Sequence, residues 1–212
     1  MNGIMEESLA MWELNGIPQA PLLCTEQDEE ALLTGHLITA GLADSPARIH
    51  SILCRDGVWR ISADRSRDAA GSTLERLEAL QANPSGRKTT WQELTRLCDQ
   101  VMALDHSAGL HAVLLSDGEK TVVGRDMGRH NALDKAVGKA AMAGLHLSQA
   151  ALCSSGRLSL EMFAKAALAG IPILATCKQV GSLCVAWAEK LNIAVCRVGS
   201  EPACYSAGWR VE

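Results

Sequence analysis

The sequence predicts an α/β protein whose main part is a three-layer αβα sheet domain, with a small N-terminal α+β lobe before it. From His111 onward, strand-like and helix-like segments alternate, which is typical of a partly parallel sheet covered by helices. The 212 residues are 48% apolar and 21% charged, which suits a sizeable core. We place the lobe and its polar loop at residues 1–88 and the α/β domain at 89–212, although the two can also form one continuous domain.

The N-terminal lobe begins with a strand and a turn. Thr25 with Asp28 is a candidate capping box for the amphipathic helix that follows. Two apolar runs flank the turn at residues 55–57, which indicates a β-hairpin. Residues 63–90 are polar and rich in turn formers around one short helix, so we expect a boundary or a mobile loop there.

The α/β domain is predicted to begin with a helix over residues 91–104, because apolar residues recur there at helical spacing. Strands and helices then follow in order: strands at 112–115 and 121–123, a helix from Asn131, a strand at 150–153, a helix at 158–169, a strand at 171–175, a helix at 182–191 and a strand at 193–197.

Composition excludes several classes of function. The net charge is −4, and five tryptophans, one tyrosine and one phenylalanine are the only aromatic residues, so neither a basic surface nor a stacking series for nucleic acid is evident. The N-terminal residues lack the pattern of a signal peptide, and no run is long enough to span a bilayer. We expect a cytoplasmic protein that binds neither nucleic acid nor membrane.

The eight cysteines are spread through apolar runs, which favours buried, reduced thiols. The closest pair, Cys177 and Cys184, are seven positions apart, so the chain contains no Cys-x-x-Cys. A zinc centre therefore has no evident ligands, and we expect no metal.

The stretch Gly124–Lys135 carries two glycines, two arginines and a histidine between a strand and a helix. Glycine allows close backbone approach, and the N–H groups that open a helix attract anions, so this turn suits a phosphate or pyrophosphate. The alternative is an ordinary strand-to-helix turn in which Asp126 pairs with an arginine. Between Gly124 and Lys165, six basic residues against three acidic ones give a net charge of +3, which favours a small anion.

Two other turns are predicted to lie beside this one, because ligands of such sheets bind beyond the carboxyl ends of the strands. They are Ser154–Arg157 and Arg197–Ser200.

The run Gly128–Lys135 resembles the glycine-arginine-histidine-asparagine-alanine-leucine-aspartate-lysine motif of the FdhD/NarQ family, the formate dehydrogenase accessory sulfurtransferases. Further similarity lies in residues 23–25, 108–112, 155–165 and 169–172. The resemblance covers nearly the whole chain.

This resemblance implies a fold similar to that of cytidine deaminases, a homodimer and a role in activating formate dehydrogenase, whose catalytic subunit is the client. Family members take sulfur from a cysteine desulfurase as a persulfide and pass it to the bis-molybdopterin guanine dinucleotide cofactor, which they also bind. GDP is a fragment of that cofactor. The cofactor-binding residues that the resemblance and the predicted turns imply are Gly109, His111, Arg125, Gly128, Arg129, His130, Asn131, Asp134, Lys135, Ser155, Gly156, Arg157, Cys196, Arg197, Val198, Gly199, Ser200 and Glu201.

The chain departs from the family in its thiols. Family members carry sulfur on a Cys-x-x-Cys pair after the first lobe, and the matching residues 67–71 here contain no cysteine. Residues 178–181 also differ from the family's serine-alanine-proline-threonine stretch, and Val198 stands in place of a basic residue. The catalytic residues are therefore unassigned.

Three hypotheses follow. A sulfurtransferase with a relocated thiol has Cys153 as its best candidate, because that residue precedes the Ser154–Arg157 turn. A chaperone or regulator that binds the cofactor but has lost sulfur transfer is the alternative, favoured by the intact Gly128–Lys135 run. A hydrolytic or deaminase-like reaction, with His130 or His111 as general base, has no accompanying nucleophile or metal set.

The sequence leaves the roles of several charged residues open. His130 can orient a phosphate or cap the helix. Of the neighbours Asp134 and Lys135, one is expected to face solvent. Glu161 and Lys165 have the spacing of an ordinary i,i+4 pair.

Overall fold

The computed structural model describes residues 6–64, 71–105 and 109–212, and these form two sheets with helices packed on them. The predicted α/β class is confirmed, while the likeness to cytidine deaminases stays a prediction. Within the described ranges, no helix is both long enough and apolar enough to cross a bilayer.

The N-terminal lobe is a five-stranded sheet with one long helix. Strand β1 pairs in parallel with β5 and antiparallel with β2 and β3, and β4 closes the predicted hairpin with β5. Apolar residues at alternate positions of β1 face helix α1 and form the lobe's core. The elements are β1 (Ser8–Leu14), β2 (Ile17–Pro18), β3 (Leu22–Cys24), α1 (Glu29–Thr39), β4 (Ile49–Arg55) and β5 (Val58–Ala63).

The hairpin prediction is confirmed, because Asp56 and Gly57 take φ angles of 54° and 74° between β4 and β5, as a tight hairpin turn requires. The predicted capping box is wrong. Asp28 occupies the N-cap position of α1 with a φ of 64° and makes no side-chain cap, while Thr25 bonds to a distant residue, Asp126.

The larger part of the chain is a six-stranded sheet in the order β11-β10-β9-β8-β6-β7. Helices α4, α5 and α6 pack on one face and α3 on the other, which gives three layers. Helix α2 is the short helix expected within residues 63–90, and strand β11 extends the predicted series. The elements are α2 (Thr73–Glu78), α3 (Trp91–Asp105), β6 (His111–Ser116), β7 (Thr121–Asp126), α4 (Arg129–Met142), β8 (Ala151–Ser154), α5 (Leu160–Leu168), β9 (Ile173–Thr176), α6 (Ser182–Lys190), β10 (Ala194–Arg197) and β11 (Ala203–Ser206).

Strand direction sets the position of the site. Strands β8, β9 and β10 are parallel, and β6 lies antiparallel to both β7 and β8. The carboxyl ends of β7, β8, β9 and β10 and the start of β6 therefore share one edge of the sheet. The three turns expected to converge do lie along this edge, which we call the strand edge.

Residues 71–90 do not separate two independent bodies. Leu77 of α2 is fully buried in the large core, and the extended segment after it is bonded to the α/β domain at several points. Asn83 bonds to Leu191 and Gly170, and Thr89 pairs with Val211 near the C-terminus. The expectation of a mobile loop is thus wrong for these residues, and the division at residue 88 stays a prediction.

Helices α1 and α4 cross at very close range, and this contact joins the lobe to the α/β domain. A Cβ atom on Gly35 would overlap the carbonyl oxygen of Asp134, and one on Gly138 would overlap that of Ala31. Both positions therefore require glycine because the backbones touch there.

Replacing Gly138 with alanine should destabilise the protein by about 1–3 kcal/mol or more, since the two helices must move apart to admit a methyl group. Urea unfolding of Gly138→Ala measures this. Gly86→Ala is the matched control, because a Cβ at Gly86 meets nothing within 4 Å. Equal losses in the two variants would contradict the close crossing.

Candidate functional site

Two buried nitrogen atoms without partners mark the strand edge. The Nδ1 atom of His111 and the Nε atom of Arg129 are shielded from solvent, and neither has a hydrogen-bond partner among the described residues. A Cβ atom added to Gly156 would lie 3.5 Å from side-chain atoms of both His111 and Arg129. These three residues therefore adjoin one another. Orphaned buried polar groups are costly, which favours a ligand with hydrogen-bonding atoms here.

A cleft of about 290 Å³ opens beside this point, and we call it the strand-edge cleft. Arg129, the exposed Arg157 and the segment at residues 179–181 line it. No side chain caps the first turn of α4, where Arg129 lies, so the N–H groups of that turn add to the positive field. The cleft is therefore built to attract an anion.

Hydrogen bonds of Thr176, which the sequence did not single out, and of Ser155, which it did, hold the turn beside this cleft. The Thr176 hydroxyl, at the end of β9, donates to the carbonyl of Gly156 at 2.8 Å and accepts from the amide of Lys178 at 3.0 Å. Ser155 accepts from the amide of Ala112 at 3.0 Å, so its hydroxyl holds the turn. The available signal for Thr176 was a polar residue at the end of a buried strand.

Two charged residues of the Gly124–Lys135 motif turn away from the cleft. Lys135 and Asp126 are both fully buried and form an ion pair of 2.8 Å. Thr25 completes this pair: its amide and hydroxyl donate to Asp126 at 3.0 Å, while the Lys135 ammonium donates to its hydroxyl at 2.7 Å. Asp126 therefore pairs with a lysine, not with an arginine as the alternative interpretation had it.

Gly124 and Asn131 of the motif stabilise the junction between β7 and α4. A Cβ on Gly124 would overlap backbone atoms of Ala132 and Ala136, so this glycine lets β7 and α4 pack closely. The Asn131 amide donates to the carbonyl of Leu23 at 2.6 Å and to Asp126 at 3.2 Å. The Gly128 amide also donates to Asp126, at 2.9 Å. These contacts fix where α4 begins.

Asp134 forms a second buried network, between α1 and α5. It accepts hydrogen bonds from Thr39 at 2.6 Å and Lys165 at 2.7 Å, and it lies 3.1 Å from Nδ1 of His36. Burial by itself would raise the pKa of Asp134, but Lys165 and His36 outweigh it and lower the pKa to about 2. Two expectations are wrong here: neither Asp134 nor Lys135 faces solvent, and Lys165 pairs with Asp134 instead of Glu161.

His130 neither caps the helix nor faces the strand-edge cleft. It lies in the first turn of α4, with its Nε2 atom 3.3 Å from Glu161, and lines a separate cavity of about 280 Å³ with His36, Arg76 and Lys165. Burial, followed by the charges of Arg129 and Lys165, lowers the pKa of His130. The neutral form is thus favoured.

Arg125 also lies apart from Arg129. Its guanidinium donates to the carbonyl of Leu104 at 3.2 Å, and it lines a cavity of about 490 Å³ with Glu26 and Lys139. The two arginines of the motif therefore face different cavities.

The C-terminal segment reaches the strand edge mainly through its backbone. The side chains of Cys196 and Val198 are buried in the core beneath α3, at 0% and 5% exposure. Gly199, Ser200 and Glu201 are exposed, and Arg197 donates to the carbonyl of Glu201 at 3.2 Å. Gly109, also exposed, precedes β6 with a φ of 67°.

Cys153 is wrong as a relocated nucleophile, because its side chain is fully buried and its thiol lies 4.0 Å from the carbonyl of Leu94. All eight cysteines are unpaired thiols. The place that matches the family's Cys-x-x-Cys, residues 67–71, lies outside the described residues except for Gly71. In the described ranges, no three His, Cys, Asp or Glu side chains are grouped to hold a metal ion.

Comparison with known proteins decides the family. The model of the FdhD/NarQ family matches residues 4–212. This chain belongs to the FdhD/NarQ family. The resemblance inferred from Gly128–Lys135 is thereby confirmed.

Relatives in the FdhD/NarQ family match over most of their length. The chain is 33% identical to the sulfur carrier protein FdhD of Streptomyces coelicolor, covering 90% of this chain and 81% of the relative. It is 30% identical to the protein of the same name from Bordetella petrii, covering 91% and 80%. The crystal structure described as a formate dehydrogenase accessory protein from Desulfotalea psychrophila has the same fold, with a TM-score of 0.85, 23% identity and coverage of 97% and 90%.

The Asp134 network predicts a loss of stability in acid. Because the folded-state pKa lies below the ordinary 3.8, the charged carboxylate stabilises the fold by about 2 kcal/mol, fully above about pH 5 and progressively less as pH falls from 4 to 2. Asp134→Asn should be less stable than the unmodified protein at pH 7. The difference in their free energies of unfolding, measured with urea, should shrink as the pH falls from 4 to 2. Asp99→Asn, on an exposed site, is the control. A difference independent of pH would contradict this role.

Proposed function

We propose that this chain is a formate dehydrogenase accessory protein that binds the bis-molybdopterin guanine dinucleotide cofactor at the strand edge and supports its sulfuration. The observation that carries the proposal is the pair of orphaned nitrogens on His111 and Arg129 beside the strand-edge cleft. Membership of a family whose relatives are sulfur carrier proteins supports the same role.

The residues at the cleft fit the diphosphate parts of this cofactor. Arg129 and Arg157 offer two guanidinium groups, the donors that best match phosphate oxygens in a forked geometry. His111 adds a nitrogen, and the backbone at Gly199 and Ser200 lies along the same edge because β10 ends there. When bound, the cofactor supplies the metal centre that the client enzyme uses.

The chain's own residues bind and orient in this proposal. Arg129 and Arg157 hold the anionic part, while Thr176 keeps the Gly156 turn rigid so that His111 and Arg129 stay aligned. Five further residues contribute by determining the shape of the turns: Gly109, Gly128, Ser155, Arg197 and Glu201. Asn131 and Lys135 act as positioning residues because their contacts fix the start of α4, and Asp134 holds α4 against α1 and α5.

The partners of the proposal are a cysteine desulfurase, which provides sulfur, and the catalytic subunit of formate dehydrogenase, which receives the cofactor. A specific observation favours the alternative of a cofactor-binding chaperone without sulfur transfer: residues 67–71 contain no cysteine. The two functions share the strand-edge cleft and differ in the need for a reactive thiol.

Binding of GDP tests the cleft. Arg129→Ala should weaken GDP binding by about 10–100-fold, as expected for a lost charge-assisted hydrogen bond worth about 1.5–3 kcal/mol. Isothermal titration calorimetry measures the affinity, and Arg55→Ala, in the exposed hairpin turn, is the control. An affinity unchanged by Arg129→Ala in a normally folded variant would refute the proposed site.

We also infer a homodimer that uses the outer face of the N-terminal sheet. Leu9, Met11, Leu23 and Leu53 lie on this face with exposures of 44–57%, and Leu9 stands directly opposite Leu23. An apolar patch of this kind is typical of a protein interface.

Placing charges on this patch should dissociate the dimer. The variant Leu9→Glu/Met11→Glu is expected to sediment as a monomer in analytical ultracentrifugation at concentrations where the unmodified protein is dimeric. Leu74→Glu, on the exposed side of α2, should leave the assembly intact. A dimer that survives the double change, or an unmodified protein that is monomeric, would exclude this interface.

A further inference from the structure

We propose that a second cavity, lined by residues of α1, α2, α4 and α5, binds a small aliphatic carboxylate. Its volume is about 280 Å³, and we call it the helix cavity. His130 belongs to the Gly128–Lys135 motif, yet it lines this cavity and does not face the strand-edge cleft. The helix cavity is therefore a site separate from the one that the proposed function uses, and it gives His130 a role of its own.

Two nitrogen atoms in the helix cavity are shielded from water and lack hydrogen-bond partners. They are Nε of Arg76 and Nε2 of His130, and neither has a partner among the described residues. The Glu161 carboxylate lies 3.3 Å from Nε2 of His130 but makes no hydrogen bond to it. A guanidinium nitrogen can only donate, and leaving a buried donor unpaired is unfavourable. The pair therefore favours a ligand that brings acceptor oxygens.

The charges that line the helix cavity are balanced except at Arg76. The Lys165 ammonium lies 2.8 and 2.7 Å from the two carboxylate oxygens of Asp134, which is fully buried. Arg76 has no ion pair within the part of the chain that the structure describes. Glu161 lies at the rim, where its side chain is 67% exposed and water screens its charge. One uncompensated guanidinium matches one negative charge, so the ligand is a monoanion.

The surroundings of His130 also suit an anion. Burial lowers the pKa of this histidine, the positive charges of Arg129 and Lys165 lower it further, and the nearby carboxylates oppose them with smaller effects. A neutral imidazole carries one N–H, which in the Nε2 tautomer donates into the cavity. The cavity thus offers one charged and one neutral donor, enough for the two oxygens of a carboxylate.

The apolar part of the wall and the volume limit the ligand's size. Ala40 follows α1, and Ala164 and Leu168 lie one turn apart on α5. Small-molecule pockets span roughly 300–1,000 Å³, so this cavity is at the small end of the range. Donors beside a short apolar wall fit a carboxylate with a few aliphatic carbons better than a phosphate ion, which has no apolar part.

Binding of propionate tests the helix cavity on the full-length protein. Propionate should bind and raise the unfolding temperature, whereas propionamide, which has a similar shape but no charge, should do neither. Ligand-observed NMR titration measures the affinity, and differential scanning calorimetry measures the unfolding temperature. Failure of propionate to bind, or equal binding of propionamide, would overturn the proposal. Tighter binding of inorganic phosphate at this cavity would overturn the assignment to a carboxylate.

Removal of the charged donor tests which residue holds the ligand. Arg76→Ala should weaken propionate binding about tenfold or more. The variant should be no less stable than the unmodified protein without propionate, because Arg76 has no hydrogen bond or ion pair to lose. A purely structural arginine would instead lower the stability. Arg96→Ala, on an exposed position of α3, is the matched control and should bind propionate normally. An unchanged affinity in folded Arg76→Ala would refute the site.

The sign of the ligand's charge has its own test at the rim. Glu161→Gln removes a repelling carboxylate, so propionate should bind about two- to fivefold more tightly. Weaker binding would contradict an anion site. Propionate binding that is lost in Arg129→Ala but kept in Arg76→Ala would place the anion in the strand-edge cleft. That outcome would overturn this inference and leave the proposed function standing, whereas a failed GDP titration bears only on the strand-edge cleft.

Discussion

The buried pair of Lys135 and Asp126 is the interaction on which the rest of the structure depends. Two charges without exposure to water are costly unless their remaining hydrogen-bonding capacity is filled, and Thr25 fills it from the N-terminal lobe. The lobe therefore cannot separate from the α/β domain without exposing this pair and removing the hydrogen bonds that Thr25 makes to both charges. This requirement, together with the glycine crossing of α1 and α4, makes the two parts one unit.

The same pair determines where the ligand-facing residues lie. Asp126 ends β7, and through Gly128 and Asn131 it fixes the first residue of α4. Arg129 is that first residue, and it lies at the strand edge beside His111 and Gly156. The motif thus divides into an outward part, which offers hydrogen-bond donors to an anion, and an inward part, which holds the turn rigid. Preorganised donors lose less entropy on binding, so the inward residues contribute to affinity without contact.

The sequence by itself determined the α/β class, the order of the strands and helices, the hairpin at residues 55–57 and the family. These follow from local patterns: apolar periodicity, turn residues and an uninterrupted motif. It also predicted that the turns after β7, β8 and β10 meet, because parallel strands end at a common edge. The assignment of all motif residues to the ligand went beyond what local pattern can support.

Only the tertiary structure decided which motif residues face inward. Asp134 and Lys135 are neighbours in α4, and both are buried because separate elements cover them: α1 and α5 over Asp134, and Thr25 over Lys135. Such coverage depends on contacts between residues 31 to 110 positions apart, which no local spacing records. For the same reason the position of Cys153 before the Ser154–Arg157 turn made it the candidate nucleophile, whereas packing against α3 buries it.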